Sequence, residues 1–199
     1  QPFPKKDIQK LATYLKENGI LLIVDEVQTG AYRTGEFLAS NLYDIEPDII
    51  TMAKGIGGGV PIGVVMTTLK DIFEPGDHGS TFGGNYLCTS AALEVCNILD
   101  EIKNNGTLDE TIIYFESKLK VFYENHQTIF KDMVGLGLMR GLRVKDAKTL
   151  TSIISNGFNS GVLVLKAGKN TLRFLPPLTI SKSEIDEGFK RLEMAIEKI

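Results

Sequence analysis

Apolar residues recur along this chain with two different periods, and each change of period marks an element. Over residues 5–18, Ile8, Leu11, Ala12 and Leu15 fall on one helical face, and Asn18-Gly19 supplies a C-terminal stop. Residues 20–24 are then an unbroken apolar run. A strand apolar on both faces belongs in the middle of a parallel sheet covered by helices. Asp25 stands at its C-terminal end, the place where open α/β sheets bind ligands. A second short strand, 48–52, runs into Lys54 and Gly55-Ile56-Gly57-Gly58-Gly59, and a third, 61–67, follows at once.

After a polar loop at 76–85, the pattern predicts a long helix over 86–103, with Leu87, Ala91, Val95, Ile98 and Ile102 on its apolar side. Another helix is predicted over 108–126, carrying Leu108, Ile112, Phe115, Leu119 and Phe122. Beyond it, short strands with Gly corners (133–144, 161–165, 171–175) alternate with a helix near 146–158. A final helix opens at a capping box, Ser181 to Glu184, and carries Ile185, Phe189, Leu192 and Ile196. The change of pattern puts a domain boundary near residue 110, giving segments 1–110 and 111–199.

The 199 residues are enough to bury a real core, as one large domain or two small ones. Apolar content of 43% and charged content of 24% are ordinary for a globular protein. A net charge of −3 with scattered Lys and Arg argues against a nucleic-acid or polybasic membrane surface. No apolar run approaches the ~18 residues of a membrane span. Cys88 and Cys96 lie eight residues apart on one predicted helix, roughly 12 Å apart, too far for a disulfide. They read as buried thiols of a reducing cytoplasm. The start, Gln1 followed by Pro-Phe-Pro without an initiator Met, reads as a piece of something longer.

Three clusters carry candidate chemistry. The first is Val24-Asp25-Glu26-Val27-Gln28-Thr29-Gly30. A carboxylate ending a buried strand either caps the following turn or meets something cationic. Four apolar residues before Asp-Glu also suit a nucleotide hydrolase, but the Gly-x-x-x-x-Gly-Lys-Ser/Thr loop such enzymes need is missing. The second is Thr51-Met52-Ala53-Lys54 with its four glycines, where small residues leave room for close backbone approach to a bound group. No Gly-x-Gly-x-x-Gly fits, so a dinucleotide loop is excluded. The third is His78-Gly79-Ser80-Thr81-Phe82-Gly83-Gly84-Asn85 ahead of a helix, either an ordinary cap loop or an anion site. An acid at one strand end, a lysine at the next and a phosphate-type loop are together what pyridoxal phosphate requires. Its aldehyde needs a Schiff-base lysine, and its pyridine nitrogen needs an acid that keeps it protonated.

At these residues the chain resembles the class-III aminotransferases, and within them the acetylornithine/ornithine group. The matching stretches are 21–35 (LLIVDEVQTGAYRTG), 47–63 (PDIITMAKGIGGGVPIG), 78–85 (HGSTFGGN), 135–142 (GLGLMRGL) and 172–181 (LRFLPPLTIS). The resemblance implies an α/β, aspartate-aminotransferase-like (fold type I) pyridoxal-phosphate enzyme. This chain would be the C-terminal part of its large domain plus a small α+β C-terminal domain. It implies that Asp25 pairs with the pyridine nitrogen, Glu26 belongs to the cofactor-binding stretch, Val27 packs on the ring and Gln28 sits near the ring hydroxyl. Lys54 matches the Schiff-base lysine. Thr81 matches a residue that binds the partner subunit's cofactor phosphate in a homodimer, Ser80 lies near substrate, and Arg173 matches a substrate-carboxylate arginine. Tyr32 stands where the family usually has a small residue, and Tyr86 where Pro is common.

The implied reaction is ping-pong transamination of N2-acetyl-L-ornithine with 2-oxoglutarate, a step of arginine biosynthesis, by a cytoplasmic homodimer. Ornithine and succinylornithine are the alternative donors. A nucleotide-hydrolysing module, or a silent fragment acting as a binding module, are the readings of a different class. The resemblance also implies a longer polypeptide, of which residues 1–199 alone would be inactive.

Overall fold

A computed structural model describes residues 1–199. The chain divides into two compact units, Phe3–Asn104 and Asn105–Ile199, the latter clustering with Gln1–Pro2. The sequence-predicted boundary near residue 110 thus falls three residues inside a helix that begins at Thr107. The division lies instead at the Asn-Asn-Gly break before it, where Gly106 takes φ 82°.

In the first unit the order is α1 (Lys5–Glu17), β1 (Ile23–Asp25), α2 (Ala39–Leu42), β2 (Ile49–Met52), a 3₁₀ turn (Lys54–Gly57), β3 (Val64–Thr67) and α3 (Tyr86–Asn104). The sheet order is β1-β2-β3, with β1 parallel and β3 antiparallel to β2. β1 is shorter than its apolar run predicts, and within these 199 residues it pairs with β2 alone. Paired on one side only, it leaves Ile20, Leu21 and Ile23 at least half exposed. The segment is tied to β2 at its start, where the Leu22 amide donates to the Asp48 carboxylate at 2.7 Å and Leu22 accepts from the Asp48 amide at 2.9 Å.

The predicted face of α3 is rotated in the structure. Cys88, Ala92 and Leu99 are buried, while Leu87 is 74% exposed. Both stripes keep helical spacing, so periodicity alone could not choose between them.

The second unit runs α4 (Thr107–Asn125), β4 (Phe130–Leu136), β5 (Met139–Val144), α5 (Ala147–Asn159), β6 (Leu165–Ala167), β7 (Thr171–Phe174) and α6 (Lys182–Ile196). Its antiparallel sheet has the order β4-β5-β7-β6. The core joins Leu108, Leu119, Leu142, Leu150, Ile153, Leu172 and Leu192, each no more than 1% exposed. Fully burying such a side chain is worth about 1.5–3 kcal/mol. Phe115, Phe122, Phe174 and Phe189 stack around that core at centroid distances of 5.6–6.3 Å. The hairpin between β4 and β5 needs Gly135, which has φ 108°. A Cβ there would lie 2.1 Å from the Met139 carbonyl oxygen. The capping box opening α6 forms as predicted, with the Glu184 amide donating to Ser181 Oγ and the Ser181 amide donating to Glu184.

Candidate active site

Two parallel neighbours deliver the first pair of candidates. Asp25 of β1 is in register with Thr51 of β2. Asp25 and Lys54, three residues past Thr51, therefore leave the sheet at adjacent C-terminal strand ends, where α/β sheets present ligand-binding groups.

The Asp25 carboxylate is held but not used up. Oδ1 accepts from the Val27 amide at 2.9 Å and from the Thr51 hydroxyl at 3.2 Å, while Oδ2 has no partner and the residue is exposed. The bond to Val27, two residues on, is the turn-capping interaction expected of an aspartate here. Capping occupies one oxygen and leaves the other, in a fixed orientation, for a ligand. The sequence places Thr51 in the lysine cluster but does not tie it to Asp25, because that contact depends on strand register.

Lys54 opens the 3₁₀ turn with φ 54°, after an extended Ala53. A non-glycine residue in this region costs about 1–2 kcal/mol, and such strain clusters at functional sites. Its amine is exposed and makes no hydrogen bond or ion pair. Open space surrounds the positions where Gly55, Gly59 and Gly63 would carry a Cβ. A lysine amine without a partner, a carboxylate with one oxygen to spare and unobstructed backbone fit the donor set pyridoxal phosphate needs.

The loop after β1 contains the other first-cluster residues. Val27 is half-buried, and Gln28 is exposed with no side-chain partner. Glu26, grouped with the cofactor contacts on sequence, points elsewhere. It is 1% exposed, and Thr29, Ala39 and Ser40 occupy its carboxylate. A Cβ at Gly30 would crowd its neighbours, lying 2.9 Å from Met52 Cε and 3.0 Å from the Glu26 carbonyl oxygen.

Tyr32 is buried, with φ 63° following Ala31 at φ 52°. Its hydroxyl donates to Asp100 Oδ1 at 2.7 Å and its ring meets Phe37 edge-on. Burial, then the Asp100 carboxylate, push the phenol up to about 12. Lys103 closes the same loop by donating to the Gly35 carbonyl and pairing with Glu36. Tyr86, the other departure, is 92% exposed at the start of α3.

Ser80 and Thr81 lie in an exposed loop, and no hydrogen bond links them to Asp25 or Lys54. The cap of α3 is Asn85, whose Oδ1 accepts from the Cys88 amide at 3.0 Å, so neither hydroxyl is spent on capping. Arg173 belongs to the second unit, on β7 between Leu172 and Phe174, both buried. Its Nε is buried without a partner, and it is in register with Gly141 and Leu165.

Residues 2–196 match the aminotransferase class-III family. Over all 199 residues the chain is 55% identical to the acetylornithine aminotransferase of Wolinella succinogenes, covering 51% of that protein. It is 41% identical to a succinylornithine transaminase of Photorhabdus laumondii, with 95% of this chain covering 48% of that one. Among solved structures, the ornithine aminotransferase of Toxoplasma gondii ME49 superposes with a TM-score of 0.88 at 30% identity, over 99% of this chain and 48% of that one. The chain spans about half the length of the curated relatives it matches. With the family's sequence pattern along nearly its whole length and the fold of its solved members, this chain belongs to the class-III aminotransferases.

Proposed function

We propose that this chain supplies the lysine and acid half of a pyridoxal-phosphate site that transaminates N2-acetyl-L-ornithine with 2-oxoglutarate. The observation that carries the reading is the pairing at adjacent strand ends of Asp25, with Oδ2 unclaimed, and Lys54, with its amine unpartnered. When bound, the cofactor supplies an electron sink conjugated to the substrate Cα. Lys54 Nζ would hold the cofactor and, when free, would serve as general base for the substrate Cα proton. Asp25 Oδ2 would be the acceptor for the cofactor's pyridine nitrogen and would keep it protonated. Val27 would pack on the ring, and Gln28 would sit near its hydroxyl.

Arg173 receives a substrate carboxylate through paired guanidinium donors. Its place in the matched stretch 172–181, on β7, supports this. Ser80 lies near the substrate, and Thr81 reaches the cofactor phosphate of the partner subunit in a homodimer. Their uncommitted hydroxyls support that reading.

The donor is favoured by the 55%-identical acetylornithine relative. The succinylornithine and ornithine names carried by the other relatives support a second reading with those donors. Borohydride reduction of the natural polypeptide carrying this chain, loaded with cofactor, tests the site. The label is expected on the peptide containing Lys54, and Lys54→Ala should abolish turnover. Label on another lysine would overturn the assignment, and comparing turnover of the three donors ranks them.

A further inference from the structure

We propose that Glu26 is a positioning residue that presets the cofactor-contacting loop, and that it does not touch the cofactor. The proposal rests on the functional reading above. Glu26 stands between the residue offering Oδ2 to the cofactor and the two residues facing its ring, yet it is 1% exposed. Its carboxylate accepts four hydrogen bonds. Oε2 takes Thr29 Oγ1 at 2.6 Å and the Ala39 amide at 2.9 Å, and Oε1 takes the Ser40 amide and Ser40 Oγ, each at 2.8 Å. Leu38 leaves the start of α2 without a side-chain cap, and Glu26 provides that acceptor from earlier in the chain.

The backbone of Glu26 is equally committed. Its amide donates to the Thr51 carbonyl at 2.8 Å, and its carbonyl accepts from the Gly30 amide at 3.0 Å. Glu26 therefore joins β2, the return turn and α2 at one buried point. Because side chains alternate along an extended segment, burying Glu26 turns Asp25 to the opposite side. The far part of the loop, at Tyr32, Gly35 and Glu36, is tied separately to Asp100 and Lys103. The near part, carrying Val27 and Gln28, is held by the Asp25 bond to the Val27 amide at its start and by Glu26 at Thr29 and Gly30 beyond it.

Four donors converge on this carboxylate, so an amide is a poor substitute. In Glu26→Gln the NH2 must face either Thr29 and Ala39 or Ser40. The hydroxyls can rotate to accept, but one backbone N–H is left facing another donor. The test is the natural polypeptide carrying this chain, as wild type, Glu26→Gln and Ser40→Ala, titrated with pyridoxal phosphate while its visible absorbance is recorded. Far-UV circular dichroism follows the fold. For folded Glu26→Gln, a cofactor dissociation constant raised at least about tenfold and a shifted absorbance maximum are expected. Ser40→Ala, which keeps the carboxylate and three of its donors, should show a rise of about threefold with the same direction of shift. Dissociation constants within twofold of wild type and an unmoved band would overturn the proposal. Should Glu26→Gln not fold, Ser40→Ala decides alone on the same criteria. A wild type that forms no visible band at all would overturn the functional reading and this proposal with it.

Discussion

Asp25→Asn separates the turn capping that the Asp25 carboxylate performs from the cofactor pairing proposed for it. The amide oxygen can keep the bonds that Oδ1 accepts from the Val27 amide and the Thr51 hydroxyl. The amide NH2 then occupies the position of Oδ2, the only oxygen without a partner. The turn is preserved, while the atom proposed to face the cofactor changes from acceptor to donor. A hydrogen bond to a charged group contributes about 1.5–3 kcal/mol net, and a donor aimed at a donor cancels it. Taking about 2.7 kcal/mol, at 1.36 kcal/mol per factor of ten, turnover should fall about 100-fold. The assay is steady-state transamination by the natural polypeptide at saturating cofactor, with bound cofactor measured from its absorbance. The expected result is a low kcat with cofactor still held through Lys54. Turnover within about threefold of wild type would mean that Asp25 is only the turn cap its Oδ1 contacts describe.

Arg173→Lys replaces a fork of paired donors with a point charge, so KM for 2-oxoglutarate should rise about tenfold while the cofactor absorbance stays unchanged. Unchanged kinetics in both half-reactions would remove Arg173 from the substrate site. Tyr32 is raised from 10.0 to about 12 by burial and by Asp100, so its neutral form is the one the fold favours. Its contribution to stability is complete below pH 10 and is lost as pH rises through about 12. Urea unfolding across that window should show a fall for wild type that is flattened in Tyr32→Phe, and parallel curves would refute the coupling.

Local patterns in the sequence were enough for much of the molecule. The face of α4 through Leu108, Phe115, Leu119 and Phe122, and the capping box of α6, depend on neighbours three or four positions away. Lys54 and Asp25 could be singled out because each follows an apolar run, and strand ends are where such groups are presented. Other features depended on contacts between segments distant in the chain. The apolar stripe of α3 runs through Cys88, Ala92 and Leu99 because tertiary packing chose one of two helically spaced faces. The apolar run 20–24 marks a strand, but that its neighbour within these residues is β2, in parallel, is a pairing that spacing along the chain does not specify. Thr51 steadies Asp25 only because register places those two residues opposite each other. Glu26 looked like part of the binding stretch because it adjoins Asp25. The direction of its side chain was settled by Ala39 and Ser40, thirteen and fourteen residues away, whose amides needed an acceptor. Spacing along the chain marks where chemistry can lie, and long-range hydrogen bonds decide which of two adjacent carboxylates is buried and which is left exposed.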